Sequence, residues 1–577
     1  MRQKKSAVRT AFGSLKGIVA AMTVISGTAN LLALTGSFYM LQVYDRVLSS
    51  QSISTLVALS VLALALYMFQ GALEIMRSQI LVRLGGRLDD GLTEQAHKTS
   101  LRLSLLGRKG SDAQQPMRDV ETIRGFLSGQ GPLAIIDMPW MPLFLIFIFL
   151  LHPVLGWITT GGAVALVGLT LMTEHKIRAP SLALVQAASR RLSLLDANTR
   201  NAEVLRAMGF AHRAMRRFSD ANSEHLAMQQ SLVDLTSGFS SVSRVIRMIL
   251  QSALLGAGAY FTIKGEMSAG AIIACSIAAS RAYAPIELAI ANWKGFVAAR
   301  QSATRLEAAF VGAPEGPDPL ELSAPIGKLN VDNISVVIPG TQRAVIQGVG
   351  FELNAGEALA VIGQSAAGKS SLARALVGVW DVARGSIRLD GASLDSWSNE
   401  RLGQHIGYLP QDVELFDGTI TENISRFDEE PDSMAVVSAA RAAGVHELIL
   451  RLPEGYETML GERGQALSAG QRQRIALARA LYRDPFFVVL DEPNSNLDSD
   501  GEEALALAIR SVRERKGIAI VIAHRSGILA AVDKVAVIGN GQLTAFGPRD
   551  EVLRKAVRPP PAAAAVVSHM PRSQKPA

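Results

Sequence analysis

The residues best suited to chemistry form a glycine-rich loop between a short apolar run, Ala358 to Ile362, and a helix-forming stretch, Ser371 to Val377. Two glycines in this loop let backbone N–H groups curl around phosphate oxygens, and the helix N-terminus adds its positive dipole. A lysine and a serine that follow can neutralise the β- and γ-phosphates and coordinate Mg²⁺. The sequence therefore predicts a site for a nucleoside triphosphate, with its phosphate loop formed by Gly363, Gln364, Ser365, Ala366, Ala367, Gly368, Lys369, Ser370 and Ser371.

Two further apolar runs end in groups that complete such a site. Phe487 to Leu490 ends in Asp491 and Glu492, and Ile518 to Ala523 leads to His524. Side chains at the carboxyl ends of parallel strands project into a nucleotide site. We expect Asp491 to hold Mg²⁺, Glu492 to orient or deprotonate the attacking water, and His524 to reach the γ-phosphate. Each residue alone could be surface decoration, but together with the loop they predict one phosphoryl-transfer site.

The first half of the chain is built of long apolar segments. A chain of 577 residues is too long for one core, and its apolar excess lies in the first 300 residues. Because a spanning helix needs about 20 apolar residues, the uncharged runs predict six membrane spans. The first two runs are separated only by Asp45-Arg46, which predicts a tight hairpin at that pair, and His152-Pro153 divides the third run in two. The runs are 17–44, 47–73, 138–173, 248–263 and 267–280, and the span of the last run continues past Arg281.

The distribution of Lys and Arg predicts the orientation of these spans. The N-terminal segment and the connection from Arg178 to Arg247 are rich in both, whereas the short connections on the other side carry almost no net charge. Both termini are therefore expected in the cytoplasm. This asymmetry largely explains the net charge of +7, and no nucleic-acid footprint accompanies it. The connections at 75–130 and 174–245 have helical spacing, which indicates either spans that continue beyond the bilayer or a solvated coiled-coil stalk.

Two ionisable residues fall at or within predicted spans, where charge is costly and usually faces a cavity or a partner. Asp137 can line a transport path, but its place two residues before Pro139 favours a helix cap. Arg281 lies inside the sixth span. It can contribute to the path or pair with Glu287 or a neighbouring helix.

Motifs around the predicted phosphate site resemble those of ABC ATPases. Leu467-Ser468-Ala469-Gly470-Gln471 is similar to the signature motif, with Ala469 where Gly is commonest, and Gln411 matches the Q-loop glutamine. The resemblance implies ATP as nucleotide, Mg²⁺ held by Ser370, Gln411 and Asp491, and a dimer. Within that dimer Ser468, Gly470 and Gln471 would face the ATP of the opposite subunit. Ser495-Asn496-Leu497-Asp498 resembles the D-loop of the family, with Asn496 in place of Ala. Residues 415–420 and 461–464 resemble elements that are found particularly in exporters.

One departure from the family concerns the base of the nucleotide. Members usually carry an aromatic residue before the glycine loop, whereas Val337-Ile338-Pro339-Gly340 offers only aliphatic side chains. Either adenine affinity is reduced or Ile338 packs on the base without stacking, and the second reading is favoured.

The whole chain is similar to the half-size exporters, in particular to the type I secretion subfamily of Gram-negative bacteria. The similarity lies in residues 41–48, 119–129, 137–142 and 281–287. It implies an unfolded protein substrate with a C-terminal signal, a periplasmic adaptor, an outer-membrane channel and a place in the inner membrane. The alternative is a half-size exporter of lipid, drug or peptide. Because only about 16 residues precede the first span, no N-terminal peptidase-like domain is expected.

The expected fold is therefore multidomain, with an all-α six-helix transmembrane domain followed by an α/β P-loop ATPase. The predicted parts are a cytoplasmic segment at 1–16, the membrane domain at 17–312, a linker at 313–325, the ATPase domain at 326–557 and a disordered tail at 558–577.

Overall fold

The computed structural model describes residues 13, 16–108, 112–312, 322–461, 464, 467–523 and 526–557. The chain divides into two compact units, Met1–Pro314 and Glu315–Ala577. His524, the pair Glu462-Arg463, the tail at 558–577 and parts of the predicted N-terminal segment and linker lie outside the described residues. The predicted domain limits, including 326 as the start of the ATPase domain, stay predictions.

The first unit is helical. Its helices are α1 (Lys16–Leu32), α2 (Thr35–Gln42), α3 (Leu48–Ser50), α4 (Ile53–Leu105), α5 (Gln115–Leu127), α6 (Gly131–Asp137), α7 (Met141–Leu151), α8 (Pro153–Arg200), α9 (Ala202–Ala207), α10 (Ala211–Ile263) and α11 (Ala269–Gly312). A π-helical turn, Val43–Val47, joins α2 to α3.

Six continuous helical segments in this unit are long and apolar enough to cross a membrane, as the sequence predicted. They are Lys16–Ser50, Ile53–Leu105, Gly131–Leu151, Pro153–Arg200, Ala211–Ile263 and Ala269–Gly312. Several exceed the length that a bilayer requires, because the polar connections at 75–130 and 174–245 mostly extend the spans as helix. Large apolar side chains such as Leu150 and Ile263 stay exposed, at 81% and 87%, as lipid-facing positions would be.

The turn of the first hairpin is not at Asp45-Arg46, so that prediction was wrong. The helix continues through this pair to Ser50, and the chain turns at Gln51, which has a left-handed φ of 52°. Asp45 can remain in the helix because it accepts hydrogen bonds from the Ser268 hydroxyl at 2.6 Å and the Gly270 N–H at 3.0 Å. These donors lie at the start of α11, where a carboxylate is stabilised by the free N–H groups and the helix dipole.

Helix α11 is the best buried of the six spans and is tied to three other helices by ion pairs. Its Glu287 lies 3.1 Å from Arg247 of α10, its Arg300 lies 3.0 Å from Glu174 of α8, and its Arg305 lies 2.6 Å from the buried Asp119 of α5. Each partner lies far away in sequence. These pairs fix the rotation and height of α11 relative to its neighbours.

The second unit contains two sheets. A four-stranded antiparallel sheet has the order β2-β1-β4-β5, and a six-stranded sheet has the order β10-β9-β3-β8-β7-β6, in which only β10 runs antiparallel. The strands are β1 (Lys328–Val337), β2 (Ala344–Asn354), β3 (Ala358–Gly363), β4 (Val382–Leu389), β5 (Ala392–Ser393), β6 (Ile406–Leu409), β7 (Phe487–Asp491), β8 (Ile518–Ile522), β9 (Lys534–Gly539) and β10 (Gln542–Pro548).

Helices cover the parallel sheet, so its central strands are buried on both faces and read as continuous apolar runs. The helices are α12 (Lys369–Leu376), α13 (Asn399–His405), α14 (Ile420–Ile424), α15 (Ser433–Ala442), α16 (His446–Leu450), α17 (Ala469–Leu481), α18 (Ser499–Glu514), α19 (Ser526–Leu529) and α20 (Arg549–Val557). Strands β3, β7 and β8 are adjacent. The groups that follow them therefore meet at one edge of the sheet.

Candidate functional site

The predicted phosphate loop connects β3 to α12, in the order of strand, loop and helix that the sequence predicted. Gly368 has a left-handed φ of 100°, and a Cβ atom there would lie 2.8 Å from the Val345 carbonyl oxygen. Both constraints require glycine. Ala366 also has a positive φ, 63°, which costs a non-glycine residue about 1 kcal/mol. The loop thus has a fixed, partly strained shape, with Gln364, Ser365 and Ala366 exposed at its tip.

Lys369 begins α12 and is buried, with its ammonium group turned onto the loop. Nζ donates to the Gly363 carbonyl at 3.0 Å and to the Gln364 carbonyl at 2.9 Å. Burial lowers the pKa of Lys369, while the carboxylates of Glu492 and Asp491 act in the opposite direction. A phosphate anion would favour the charged ammonium in the same way.

Ser370 and Asp491 are brought together although 121 residues separate them. The Ser370 hydroxyl donates to Oδ1 of Asp491 at 3.2 Å. Asp491 is 1% exposed, and this burial raises the pKa of its carboxyl group; the Ser370 hydrogen bond lowers it and the Glu492 charge raises it further. A hydroxyl and a carboxylate oxygen in contact are the hard donors that Mg²⁺ prefers, so this pair fits the ion.

Glu492 adopts a left-handed backbone conformation, with a φ of 49°, directly after β7. Its N–H donates to the Ile522 carbonyl of β8 at 3.1 Å, and its Oε2 accepts from Nε2 of Gln411 at 3.0 Å. The predicted base and the predicted Q-loop glutamine are therefore in contact. His524 follows β8 but lies outside the described residues, so its role as a γ-phosphate contact stays a prediction.

Ser468 is the N-cap of α17. Its hydroxyl accepts from the Gln471 N–H at 3.3 Å, and its own N–H donates to Oε1 of Gln471 at 2.9 Å, forming a capping box. A Cβ atom on Gly470 would lie 2.8 Å from the Asn496 carbonyl oxygen, so this position is restricted to glycine. The helix start therefore presents its backbone N–H groups at a fixed place, as an anion site requires.

Comparison with known proteins identifies the family. Residues 346–495 match the ABC transporter family and residues 19–280 match the ABC transporter transmembrane region. The chain is 51% identical over 536 residues to the type I secretion system ATP-binding protein PrsD of Rhizobium meliloti (strain 1021), a match that covers 93% of this chain and 92% of that protein. The chain belongs to the ABC transporter family.

Other ABC transporters are similar over most of their length. The cyclolysin secretion/processing ATP-binding protein CyaB of Bordetella pertussis (strain Tohama I) is 26% identical, over 93% of this chain and 76% of that protein. The structure of a bacterial Atm1-family ABC exporter with ATP bound superposes with a TM-score of 0.81 at 23% identity, covering 94% of this chain and 96% of that chain. This similarity confirms the predicted fold, and family membership makes the chain an ATP hydrolase coupled to transport.

Asp137 does not act as a helix cap, which corrects the favoured interpretation. Asp137 ends the helix that begins at Gly131 and stands at the N-cap position of a 3-10 turn, Met138–Trp140, but its carboxylate makes no capping hydrogen bond. It instead accepts from Arg77 at 2.6 and 2.7 Å, from Asn30 at 3.0 Å and from the Ser26 hydroxyl. The residue thus joins α1, α4 and α6 of the transporter. A role in the transport path stays a prediction.

Arg281 does not pair with Glu287, because Glu287 faces Arg247. The Arg281 side chain is exposed and forms no ion pair with any residue that the structure describes. Its role in a transport path stays a prediction.

Sequence reasoning missed Gln473, a buried residue that contacts the candidate site. This side chain is 2% exposed and lies two residues beyond the signature motif, next to the segment that follows Glu492. A buried glutamine on the apolar face of α17 is the signal that could have identified it, because buried amides need partners.

Proposed function

We propose that this ABC transporter is the ATP-driven exporter of a type I secretion system, moving an unfolded protein with a C-terminal signal out of the cytoplasm. The observation that carries the proposal is the 51% identity, over 93% of the chain, to a type I secretion system ATP-binding protein. Further relatives are exporters of cyclolysin and leukotoxin. These relatives favour protein over lipid, drug or peptide as cargo.

The arrangement of the ATPase side chains supports a division of roles. The loop from Gly363 to Ser371 would bind the phosphates, with Lys369 neutralising the oxygens of the β- and γ-phosphates. Glu492, held by Gln411, would orient the attacking water and accept its proton, and His524 would contact the γ-phosphate.

Mg²⁺ fits the oxygen donors of Ser370 and Asp491, with Gln411 as a third ligand. When bound, the ion would neutralise charge that develops on the phosphate oxygens. The burial that raises the pKa of Asp491 makes its ionised form costly in isolation. A cation at this position would remove that cost and keep Asp491 ionised.

Two copies of the chain would form the working unit. In this homodimer Ser468, Gly470 and Gln471 at the start of α17 would face the ATP of the partner subunit, where the helix N-terminus favours an anion. We place the dimer in the bacterial inner membrane with the ATPase domain and both termini in the cytoplasm, because Lys and Arg are concentrated on that side. A periplasmic adaptor and an outer-membrane channel would complete the export path.

Mass spectrometry of culture medium tests the proposal. Cells that carry the wild-type chain should secrete one or a few proteins that are missing from the medium of cells carrying Glu492→Gln. This variant is a matched control because it keeps the size of the side chain and one acceptor oxygen for the Gln411 amide. An unchanged set of secreted proteins, together with altered lipids or drug tolerance, would refute protein export.

A further inference from the structure

Gln473 makes hydrogen bonds at both ends of the turn that follows Glu492. Its Nε2 donates to the Pro493 carbonyl at 2.5 Å and lies 3.4 Å from the Glu492 carbonyl, while its Oε1 accepts from the Asn496 N–H at 3.1 Å. The partners fix the orientation of the amide, since carbonyls only accept and an N–H only donates. One buried side chain thus contacts three backbone groups of the five-residue segment from Glu492 to Asn496.

The backbone of Glu492 depends on such support. Its left-handed φ of 49° is unfavourable for a residue with a side chain, and a conformation of this kind persists only where the surroundings hold it. The N–H of Glu492 is held by the Ile522 carbonyl at 3.1 Å. On the carbonyl side, the Ser495 N–H donates at 3.3 Å and Nε2 of Gln473 lies 3.4 Å away.

Neighbours of Gln473 on α17 secure the same segment. Gly470 packs against the Asn496 carbonyl so closely that a Cβ atom would lie 2.8 Å from the oxygen. Arg474 forms an ion pair with Asp498, the N-cap of α18, and donates to the Gly444 carbonyl at 3.1 Å. Gly470, Gln473 and Arg474 lie three and four residues apart, on one face of the helix. We call these three residues the α17 clamp.

We infer that Gln473 is a positioning residue for ATP hydrolysis, which fixes the turn from Glu492 to Asn496 against α17 and thereby holds the Glu492 carboxylate in place. The inference rests on the proposed role of Glu492 as the group that handles the attacking water. Among the residues that the structure describes, Gln473 forms hydrogen bonds with backbone groups and the Ser495 hydroxyl, so it acts through Glu492. The α17 clamp lies on the helix that begins at the signature motif. A displacement of the start of α17 would therefore also displace the segment that positions Glu492.

The test is ATP hydrolysis by the full-length chain in lipid. Gln473→Met keeps the length of the side chain and removes both the donor and the acceptor, so kcat should fall about tenfold to hundredfold while KM for ATP stays near its wild-type value. A wild-type kcat in Gln473→Met would overturn the inference. An equal loss in kcat and ATP affinity would also overturn it, because that pattern indicates general damage to the site.

Gln473→Glu tests the donor end of the side chain separately from its acceptor end. The second readout is the pH dependence of kcat. The ionised carboxylate can accept from Asn496 but repels the Pro493 carbonyl, whereas the protonated acid can donate to that carbonyl. Its kcat relative to the wild type should therefore be higher at pH 6 than at pH 8. A ratio that does not change with pH contradicts the assignment, even if Gln473→Met fails to fold.

Asp390→Asn is the structural control. Asp390 also secures backbone, accepting from the N–H groups of Ile326, Gly327 and Lys328 at 2.7, 3.0 and 2.6 Å, but it belongs to a different part of the ATPase unit. The kcat of Asp390→Asn should stay at the wild-type value. A loss as large as that of Gln473→Met would show that both variants lower kcat by destabilising the protein.

Glu492→Gln distinguishes a failure of this inference from a failure of the proposed site. If Glu492→Gln is inactive and Gln473→Met has the wild-type kcat, the inference about Gln473 is wrong and the proposed site stands. If Glu492→Gln hydrolyses ATP at the wild-type rate, the proposed site itself is wrong.

Discussion

Nε2 of Gln411 lies 3.0 Å from Oε2 of Glu492, which joins residues 81 positions apart in the ATPase unit. The two side chains come from the ends of neighbouring strands, β6 and β7, whose register pairs Leu409 with Leu490. The Gln411 amide nitrogen donates and the carboxylate oxygen accepts. This contact therefore fixes one carboxylate oxygen of Glu492 beside the predicted Q-loop glutamine.

Glu492→Gln should bind ATP as the wild type does and lose turnover. The amide keeps the size of the side chain but cannot take a proton from water, and loss of a general base costs about 10²- to 10⁴-fold. Steady-state phosphate release and equilibrium nucleotide titration measure the two properties separately. Full turnover in this variant would exclude Glu492 as the base.

Lys369→Ala should weaken the binding of ATP, the step that precedes hydrolysis. A charge-assisted hydrogen bond contributes about 1.5–3 kcal/mol, so affinity for ATP should fall about 10- to 100-fold. Titration with a fluorescent ATP analogue checks this expectation. Ser365→Ala, at the exposed tip of the same loop, is a control that keeps the lysine. ATP affinity equal to that of the wild type in Lys369→Ala would contradict the assigned phosphate contact.

Asp491→Asn should stabilise the protein without nucleotide and weaken its response to Mg²⁺ with ATP. Burial raises the pKa of Asp491, so the folded state binds this proton more tightly than the unfolded state does. The ionised residue therefore destabilises the fold above its raised pKa, and this penalty disappears as the pH falls through that pKa. The melting temperature of Asp491→Asn should exceed that of the wild type at pH 8, by about 2–4 °C for each kcal/mol recovered, and the gap should narrow in acid.

Thermal unfolding with and without Mg²⁺ and ATP completes this test. The wild type should gain more from the added ligands than Asp491→Asn, because the asparagine lacks the charge that attracts the cation. An equal gain in both proteins would show that Asp491 is not a metal ligand.

The sequence was sufficient for features that depend on local order. Apolar runs of the required length predicted six spans, and the strands that end in Gly363 and Asp491 predicted one sheet edge. It was insufficient where residues distant in the chain meet. The hairpin turn was predicted at Asp45-Arg46 but lies at Gln51. Asp45 stays in the helix because the start of α11, more than 200 residues later, supplies hydrogen-bond donors to it. Gln473 was missed because its partners are backbone groups, which leave no pattern of side chains.

The base of the nucleotide offers a gain-of-function test. Ile338 is half-buried in a turn where its N–H donates to the Arg343 carbonyl at 3.1 Å, so the aliphatic side chain can be replaced without loss of a hydrogen bond. Ile338→Tyr should tighten ATP binding, since stacking on a base contributes about 1–3 kcal/mol. Titration with ATP and GTP checks this, with Ile338→Ala as the control. Unchanged affinity in Ile338→Tyr would place the base elsewhere.

The Arg77–Asp137 pair in the membrane unit should show strong coupling. Arg77 is 7% exposed and donates twice to Asp137. In Arg77→Met the carboxylate keeps Ser26 and Asn30 as its hydrogen-bond partners among the described residues. Losing one partner of a buried pair costs about 3–5 kcal/mol. The double variant Arg77→Met with Asp137→Asn should recover much of that loss, because a neutral amide needs no counter-ion.

Thermal unfolding of the four proteins of this cycle in detergent measures the coupling, and ATP-driven export measured in cells reports on function. If the double variant regains stability and export, the pair serves to hold α1, α4 and α6 together. If it regains stability but not export, the charge of Asp137 itself is needed, as a transport-path residue requires. If the loss of stability in the double variant equals the sum of the losses in the two single variants, the ion pair is contradicted, since additive effects indicate independent side chains.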